Sequence, residues 1–426
     1  MILCFARRLH RTTRTGSGPL HDNEITTHPI PPEGLDRLHD ILAAEVAAGH
    51  LPGLVSLVAR GEDVHVDAIG TPSFADETPL ARDAIFRIAS LTKPIVAVAA
   101  LALVEEGVLD LEEPIDGLLP ELASRRVLRS VDAELDDTVP ARRPILLEDL
   151  LTYRFGFGSV MVPAGSYPIQ RAEAELGLQS IGGPPWPPGA HNDDTWIAAL
   201  GTLPLMYQPG ERWLYNTSGQ VLGILVARAC GQSLESVLRA RIFDPLAMVD
   251  TGFTVPPGNL DRVPTLYLPD PQTGALSVLD EAPHSWWSTP PSFADGSGWL
   301  VSTIDDYWCF VAMVLAGGTG NGHRIISEES VALMTSDQLT PAQRDGNEVF
   351  LGPHGSWGFG LAVPATGSSD APFPRGTGWD GGTGTTWRSD TRRRLTAMLF
   401  TQRHATSPLP PPLIENFWSG VNAATR

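Results

Sequence analysis

The stretch FRIASLTKPIVAVAAL, residues 86–101, contains the only lysine of the chain. The other 29 of the 30 Lys plus Arg positions are arginine. Lys93 stands three residues after Ser90 and is followed by Pro94. Residues i and i+3 share one face of a helix, so the spacing predicts Ser90 and Lys93 side by side. Proline lacks an N–H and is accepted in the first turn of a helix, which puts Ser90 at the helix N-terminus, where the dipole favours developing negative charge. Downstream, Ile95, Val96, Val98, Ala99, Leu101, Leu103 and Val104 cover every face, which predicts a buried helix closed by Gly107. A serine hydroxyl needs a base before it is a useful nucleophile. Arginine keeps its proton in proteins, whereas lysine gives one up when burial lowers its pKa. Ser90 and Lys93 are therefore a candidate nucleophile and base, although Ser-x-x-Lys spacing by itself also arises by chance.

Around this helix the pattern is mixed. GLDRLHDILAAEVAAG (residues 34–49) has helical apolar spacing and stops at glycine. LVSLVARG and VHVDAIG form an expected hairpin around Gly61-Glu62-Asp63. Residues 108–295 read as short helices and long loops, with a helix at 147–153 and two helices separated by Gly231. A further helix opens at Thr303, with Asp305 and Asp306 in its first turn. WGFGLAVP, GTGTTWRSD and RRLTAMLFTQ read as antiparallel strands, and a last helix begins near Leu413. Strand signals thus bracket a helical middle, and no internal repeat appears. The expected organisation is a disordered leader (1–34), a sheet domain built from 35–107 and 296–426, and an inserted helical domain (108–295). The fold class is α/β (α+β), an antiparallel sheet flanked by helices.

Composition narrows the function. A net charge of -19 opposes binding to nucleic acid or to an anionic membrane surface, and its plain meaning is solubility. Three cysteines, Cys4, Cys230 and Cys309, make no disulfide framework or metal motif; the last two read as small core residues. HNDD at 191–194 lies in a Pro/Gly-rich loop and reads as solvated, as does Asp136-Asp137. The first residues put a short apolar run before arginines, the reverse of a secretory signal, so a cytoplasmic location is expected. GTGWDG (376–381) matches a dinucleotide fingerprint but follows no strand and precedes no helix. A nucleophile elbow, G-x-S-x-G, is missing.

Five segments then occur in order: FRIASLTK, PGERWLYNTSGQVLGILVARACGQSLE, IFDPLAMVDTGF, GSGWLVSTIDDY and WDGGTGTTW. Together they resemble the serine β-lactamase-related family, which joins class C β-lactamases, D-alanyl peptidases and esterases of one β-lactamase/transpeptidase-like fold. The resemblance runs from about residue 36 to 420. It implies that Ser90 is the acylated nucleophile, Lys93 its base partner and Tyr215 a proton shuttle. It places the third motif at Trp379-Asp380-Gly381 and the oxyanion hole at the N–H groups of Ser90 and Gly382. Taken alone, Tyr215 is also readable as a half-buried aromatic before a helix.

Two departures bear on the substrate. The second motif is usually Tyr-x-Asn; here it is Tyr215-Asn216-Thr217, with threonine where the lactam-cleaving members hold a substrate amide. The third motif usually opens on a cation; here it opens on Trp379. Both changes remove groups that recognise a β-lactam or D-Ala-D-Ala terminus while leaving Ser90, Lys93 and Tyr215. The expectation is a serine hydrolase acting on a small ester or amide, most of all a carboxylesterase, without metal or organic cofactor. β-Lactamase, D-amino-acid amidase or peptidase, acyltransferase and a non-catalytic binding protein on this fold are the alternatives. Trp186, Tyr153 and Phe155 lie in loops expected to flank the cleft, with packing as the competing reading; Phe157 and Trp299 read as core.

Overall fold

The computed structural model describes residues 29–178, 191–368 and 374–425. Most of the expected leader, and Trp186, therefore lie outside the described residues. Helix α1 (Pro32–Ala47) begins three residues inside the span read as leader, because Pro32 and Glu33 suit a first helical turn. It leads into the hairpin of β1 (Gly53–Arg60) and β2 (Asp63–Gly70). Helix α2 (Thr92–Glu105) follows, then the long middle with α3 (Thr217–Cys230) as its principal helix, then α4 (Ile304–Leu315). The last part supplies β3 (Gly355–Trp357), β4 (Ala362–Pro364), β5 (Thr377–Gly381), β6 (Thr385–Asp390), β7 (Leu395–Thr401) and α5 (Pro412–Ala424).

These strands form one antiparallel sheet in the order β3-β4-β5-β6-β7-β1-β2. The first and last parts of the chain meet where Val58 faces Ala397. Alternation along the strands divides the core in two. Leu54, Val58, Ala397 and Leu399 face α1 and α5, whose Leu38, Leu42, Phe417 and Val421 close that layer. Val55, Leu57, Met398 and Phe400 point the other way, into the large core that holds α2, α3 and α4. That core runs without interruption through residues of the middle segment.

Two expected elements are shorter than their patterns. WGFGLAVP is two strands, because Gly358-Phe359-Gly360 makes a turn between them. Gly360 has φ +77°, and a Cβ there would lie 2.6 Å from the Ala97 methyl. The helix expected at 147–153 stops at Leu151, with Tyr153 in the left-handed region at φ +60°. Asn192 of HNDD caps a helix by accepting the Thr195 N–H (2.9 Å), and Cys230 and Cys309 are half-buried.

Candidate active site

Ser90 sits in a single 3-10 turn, Ala89–Leu91, that runs straight into α2. Ala89 holds φ +43°, a conformation that costs a residue with a Cβ and persists only when its surroundings impose it. Those surroundings are visible. The carbonyls just upstream, on Arg87 and Ile88, accept from the hydroxyls of Thr383 and Thr385, the latter at 3.1 Å. Gly381 at the end of β5 completes the clamp; a Cβ there would lie 2.4 Å from the Ile88 oxygen and 2.2 Å from Thr385 Oγ1. The sheet thus grips the turn that presents the nucleophile candidate.

One step along, Lys93 is buried in the first turn of α2, 1% exposed. Its Nζ lies 2.7 Å from Ser90 Oγ and 2.6 Å from the Ser297 carbonyl oxygen. The ammonium also stands over the Tyr215 ring, 4.7 Å from its centroid. Burial pulls the Lys93 pKa from 10.5 down to about 7, against the attraction of Asp295. A neutral amine is therefore accessible near neutral pH, and the same 2.7 Å contact then lets the Ser90 O–H donate to the nitrogen lone pair.

Tyr215 reaches the pair from the far side. Its hydroxyl donates to Ser90 Oγ at 2.8 Å, and Trp379 Nε1–H donates to the Tyr215 oxygen at 2.8 Å. Burial raises the phenol well above its ordinary pKa, while the hydrogen bonds with Ser90 and Trp379 partly oppose that rise. Trp379 thus stands where the third motif usually opens on a cation and gives its N–H to the tyrosine. Tyr215 itself is held by backbone: its carbonyl accepts from the Ser159 N–H at 2.9 Å, and Asn216 turns the chain with φ +81° before α3 starts at Thr217.

The remaining expected residues divide. Gly382 borders the cleft next to Ser90. The Gly381 carbonyl accepts from the Gly384 N–H (2.9 Å), which fixes the 381–382 peptide plane and turns the Gly382 N–H the opposite way. Asp380 lies at the mouth, paired with Arg388 at 2.7 Å and hydrogen-bonded by Thr386. Three residues are corrected. Asn216 and Thr217 are buried at the start of α3 and are not among the residues that line the cleft with Tyr215. Tyr153 is 1% exposed, stacks behind Tyr215 (6.4 Å) and meets Trp357 at a tilt (4.9 Å), so it supports the site from below. Phe155, Phe157 and Trp299 are buried too.

The cleft encloses about 250 Å3. Beyond Ser90, Tyr215 and β5, its walls are Phe350 and the connection from β7 to α5, including Pro408, Leu409 and Pro410. Phe350 packs 4.6 Å from the Tyr215 ring. Neither wall was anticipated, since an isolated Phe and a Pro-rich connector carry no local signature of a site. Ser297 was within a recognised motif, GSGWLVST, but its role rests on a carbonyl, which side-chain reasoning passes over.

A Ser-Lys pair on a buried helix, a facing tyrosine and a sheet that clamps the serine turn define a β-lactamase/transpeptidase-like serine hydrolase fold. The Beta-lactamase family model matches residues 38–414, and the chain belongs to that family. It is similar to Protein Rv1367c of Mycobacterium tuberculosis, 39% identical over 353 residues, 80% of this chain and 84% of the relative. Esterase EstB of Burkholderia gladioli is 32% identical over 218 residues, 51% of either chain. Among solved structures, EstCE1, a hydrolase with promiscuous acyltransferase activity, superposes with a TM-score of 0.74 at 20% identity over 91% of this chain and 98% of its own.

Proposed function

We propose that this protein is a carboxylesterase that forms an acyl-enzyme on Ser90 and takes neutral esters with an apolar group. One observation carries the reading: a buried lysine whose nitrogen lies 2.7 Å from a serine oxygen and whose pKa is pulled to about 7. In the proposed reaction Ser90 Oγ bonds to the ester carbonyl carbon as its proton passes to Lys93. The carbonyl electrons move onto oxygen, facing the N–H groups of Ser90 and Gly382, and each such donor is typically worth about 3 kcal/mol. Collapse breaks the bond to the alcohol oxygen, which takes the proton back from Lys93 by way of Tyr215. Water then repeats the attack and frees the acid. Trp379 assists by stabilising negative charge on Tyr215 oxygen while the proton is in transit.

The cleft's chemistry supports a neutral substrate. Its walls are largely apolar; Arg388 is ion-paired with Asp380, and Arg403 gives one N–H to the His50 carbonyl at 2.7 Å. The third motif offers the Trp379 indole rather than a cation to a β-lactam or D-alanyl carboxylate. The resemblance to an esterase, EstB, points the same way, whereas the promiscuous acyltransferase activity of EstCE1 makes an alcohol acceptor the second reading. The test is a panel of acyl esters of increasing chain length beside nitrocefin, with intact-mass detection of the Ser90 adduct and added alcohol as a competing acceptor. Turnover of esters with a +acyl mass at Ser90 is expected. Fast nitrocefin cleavage without ester turnover would overturn the ester assignment, and no adduct with any substrate would favour a binding protein.

A further inference from the structure

We infer that Asp295 is a positioning residue for this chemistry: its buried carboxylate holds the Ser297 carbonyl on Lys93 and supplies the negative field that balances the ammonium formed when Ser90 loses its proton. The inference rests on the Ser90–Lys93 reading above.

Asp295 is 1% exposed. One carboxylate oxygen accepts the Ser297 N–H at 2.7 Å, and the other accepts Gln220 Nε2–H at 3.2 Å. The Asp295 backbone carbonyl accepts from the N–H groups of Gly298 (3.2 Å) and Trp299 (3.3 Å). Side chain and backbone of one residue therefore build the turn whose Ser297 carbonyl receives Lys93 Nζ at 2.6 Å. Two other deeply buried aspartates, Asp280 and Asp149, are each answered by a guanidinium, of Arg87 and Arg143. Asp295 has no such ion pair among the described residues. The cation whose field it feels is Lys93, and the attraction is mutual.

The other groups facing this pair do not carry free charge. Tyr153 and Tyr215 are buried phenols, with pKa values pushed up by burial. Asp380, on β5, is ion-paired with Arg388 at the mouth. Burial opposes charge on both Asp295 and Lys93, so each stabilises the charged form of the other. During acylation the proton arriving on Lys93 creates a cation in a dry pocket, and a fixed carboxylate nearby stabilises it without reorganisation.

Removing that charge has two linked effects, and structural damage reproduces only one. Without the carboxylate Lys93 loses its proton more readily, so the acid limb of the rate profile moves to lower pH. The weaker base also accepts the Ser90 proton less well, so the plateau falls. A merely loosened site lowers the plateau and leaves the limb in place.

The test uses Asp295→Asn, whose amide oxygen can still accept the Ser297 N–H. Labelling of Ser90 by a fluorophosphonate and ester kcat/KM are measured from pH 5 to 10. The acid limb is expected to move down by about one pH unit, with a plateau about tenfold lower. Gln220→Met keeps Asp295 but removes a hydrogen bond to its charged form; a smaller shift in the same direction is expected. An acid limb at the wild-type position in Asp295→Asn overturns the inference; if that variant does not fold, an unmoved limb in Gln220→Met overturns it. Both outcomes leave wild-type labelling intact, whereas a wild-type protein that does not label at Ser90 would overturn the catalytic reading itself.

Discussion

Replacing Lys93 with methionine should abolish turnover and yet make the protein more stable in acid than in alkali, relative to wild type. Folding takes the lysine from a pKa of 10.5 to about 7 by removing it from water. At about 1.4 kcal/mol per unit, keeping the buried ammonium below pH 7 costs the fold about 5 kcal/mol. The sign follows from proton binding. Between pH 7 and 10.5 the unfolded chain holds a proton on this lysine that the folded chain does not, so wild-type stability rises with pH across that window. About 3 kcal/mol of this rise falls between pH 6 and 9. Methionine has a similar length and no charge, so its curve lacks this rise. The packing difference between the two side chains, and the Ser297 carbonyl left without its donor, add a term that does not change with pH. Loss of the ammonium also lets Asp295 keep its proton more tightly, which lowers the variant's stability as pH rises and adds to the same trend. Urea unfolding of both proteins at pH 6, 7.5 and 9 reads the difference directly. The methionine variant's advantage should shrink by about 3 kcal/mol or more from pH 6 to 9. Ser90→Ala, which leaves the lysine in place, should follow the wild-type slope. A difference between Lys93→Met and wild type that stays flat across this range would refute the claim that the lysine is neutralised by burial, and with it the proposed base.

Other perturbations separate the parts of the site. Lys93→Arg preserves charge but cannot yield a base, so kcat should fall about 10²- to 10⁴-fold while the ordered aromatic surroundings remain visible by near-UV circular dichroism. Trp379→Phe removes the hydrogen bond to Tyr215 and should lower kcat about tenfold with KM little changed, as measured on a short acyl ester. Gly381→Ala forces a methyl against Ile88 O and Thr385 Oγ1, and should cost about 1–3 kcal/mol of stability by denaturant melt while reducing Ser90 labelling more than that loss alone explains. Leu409→Ser in the cleft wall should flatten the preference for longer acyl or alkyl groups across an ester panel without changing the melting temperature, since Leu409 is 59% exposed.

Much of this architecture was open to inspection in one dimension. Pro94 beside the lone lysine fixed the helix start to within a turn, and the all-apolar body of α2 is as buried as its pattern demanded. LVSLVARG and RRLTAMLFTQ, read as strands, are β1 and β7, and both of their faces are buried. The Tyr215 motif was recognisable, but its neighbours were misjudged. Asn216 and Thr217 are buried where the chain turns into α3, with φ +81° at Asn216, and such burial is set by packing that side-chain identity does not encode strongly. Tyr153 was expected to flank the cleft; two positions past a short helix, it turns inward through a left-handed conformation to meet Trp213 and Trp357, which are about 60 and 204 residues away in sequence.

By itself the chain of residues determined which groups are capable of chemistry: an ionisable amine in fixed helical register with a hydroxyl, a phenol in a recognisable motif, and a third motif that carries indole in place of a cation. Those properties are local, set by covalent structure and by the 3.6-residue period of a helix. Tertiary structure decided everything that depends on distance between remote segments. It brought Trp379 to Tyr215, laid the Ser297 carbonyl and Asp295 beside Lys93, and seated Phe350 and Leu409 around the cleft. The amine becomes a base only because the fold excludes water from it, and exclusion of water belongs to the packed whole rather than to any stretch of the chain.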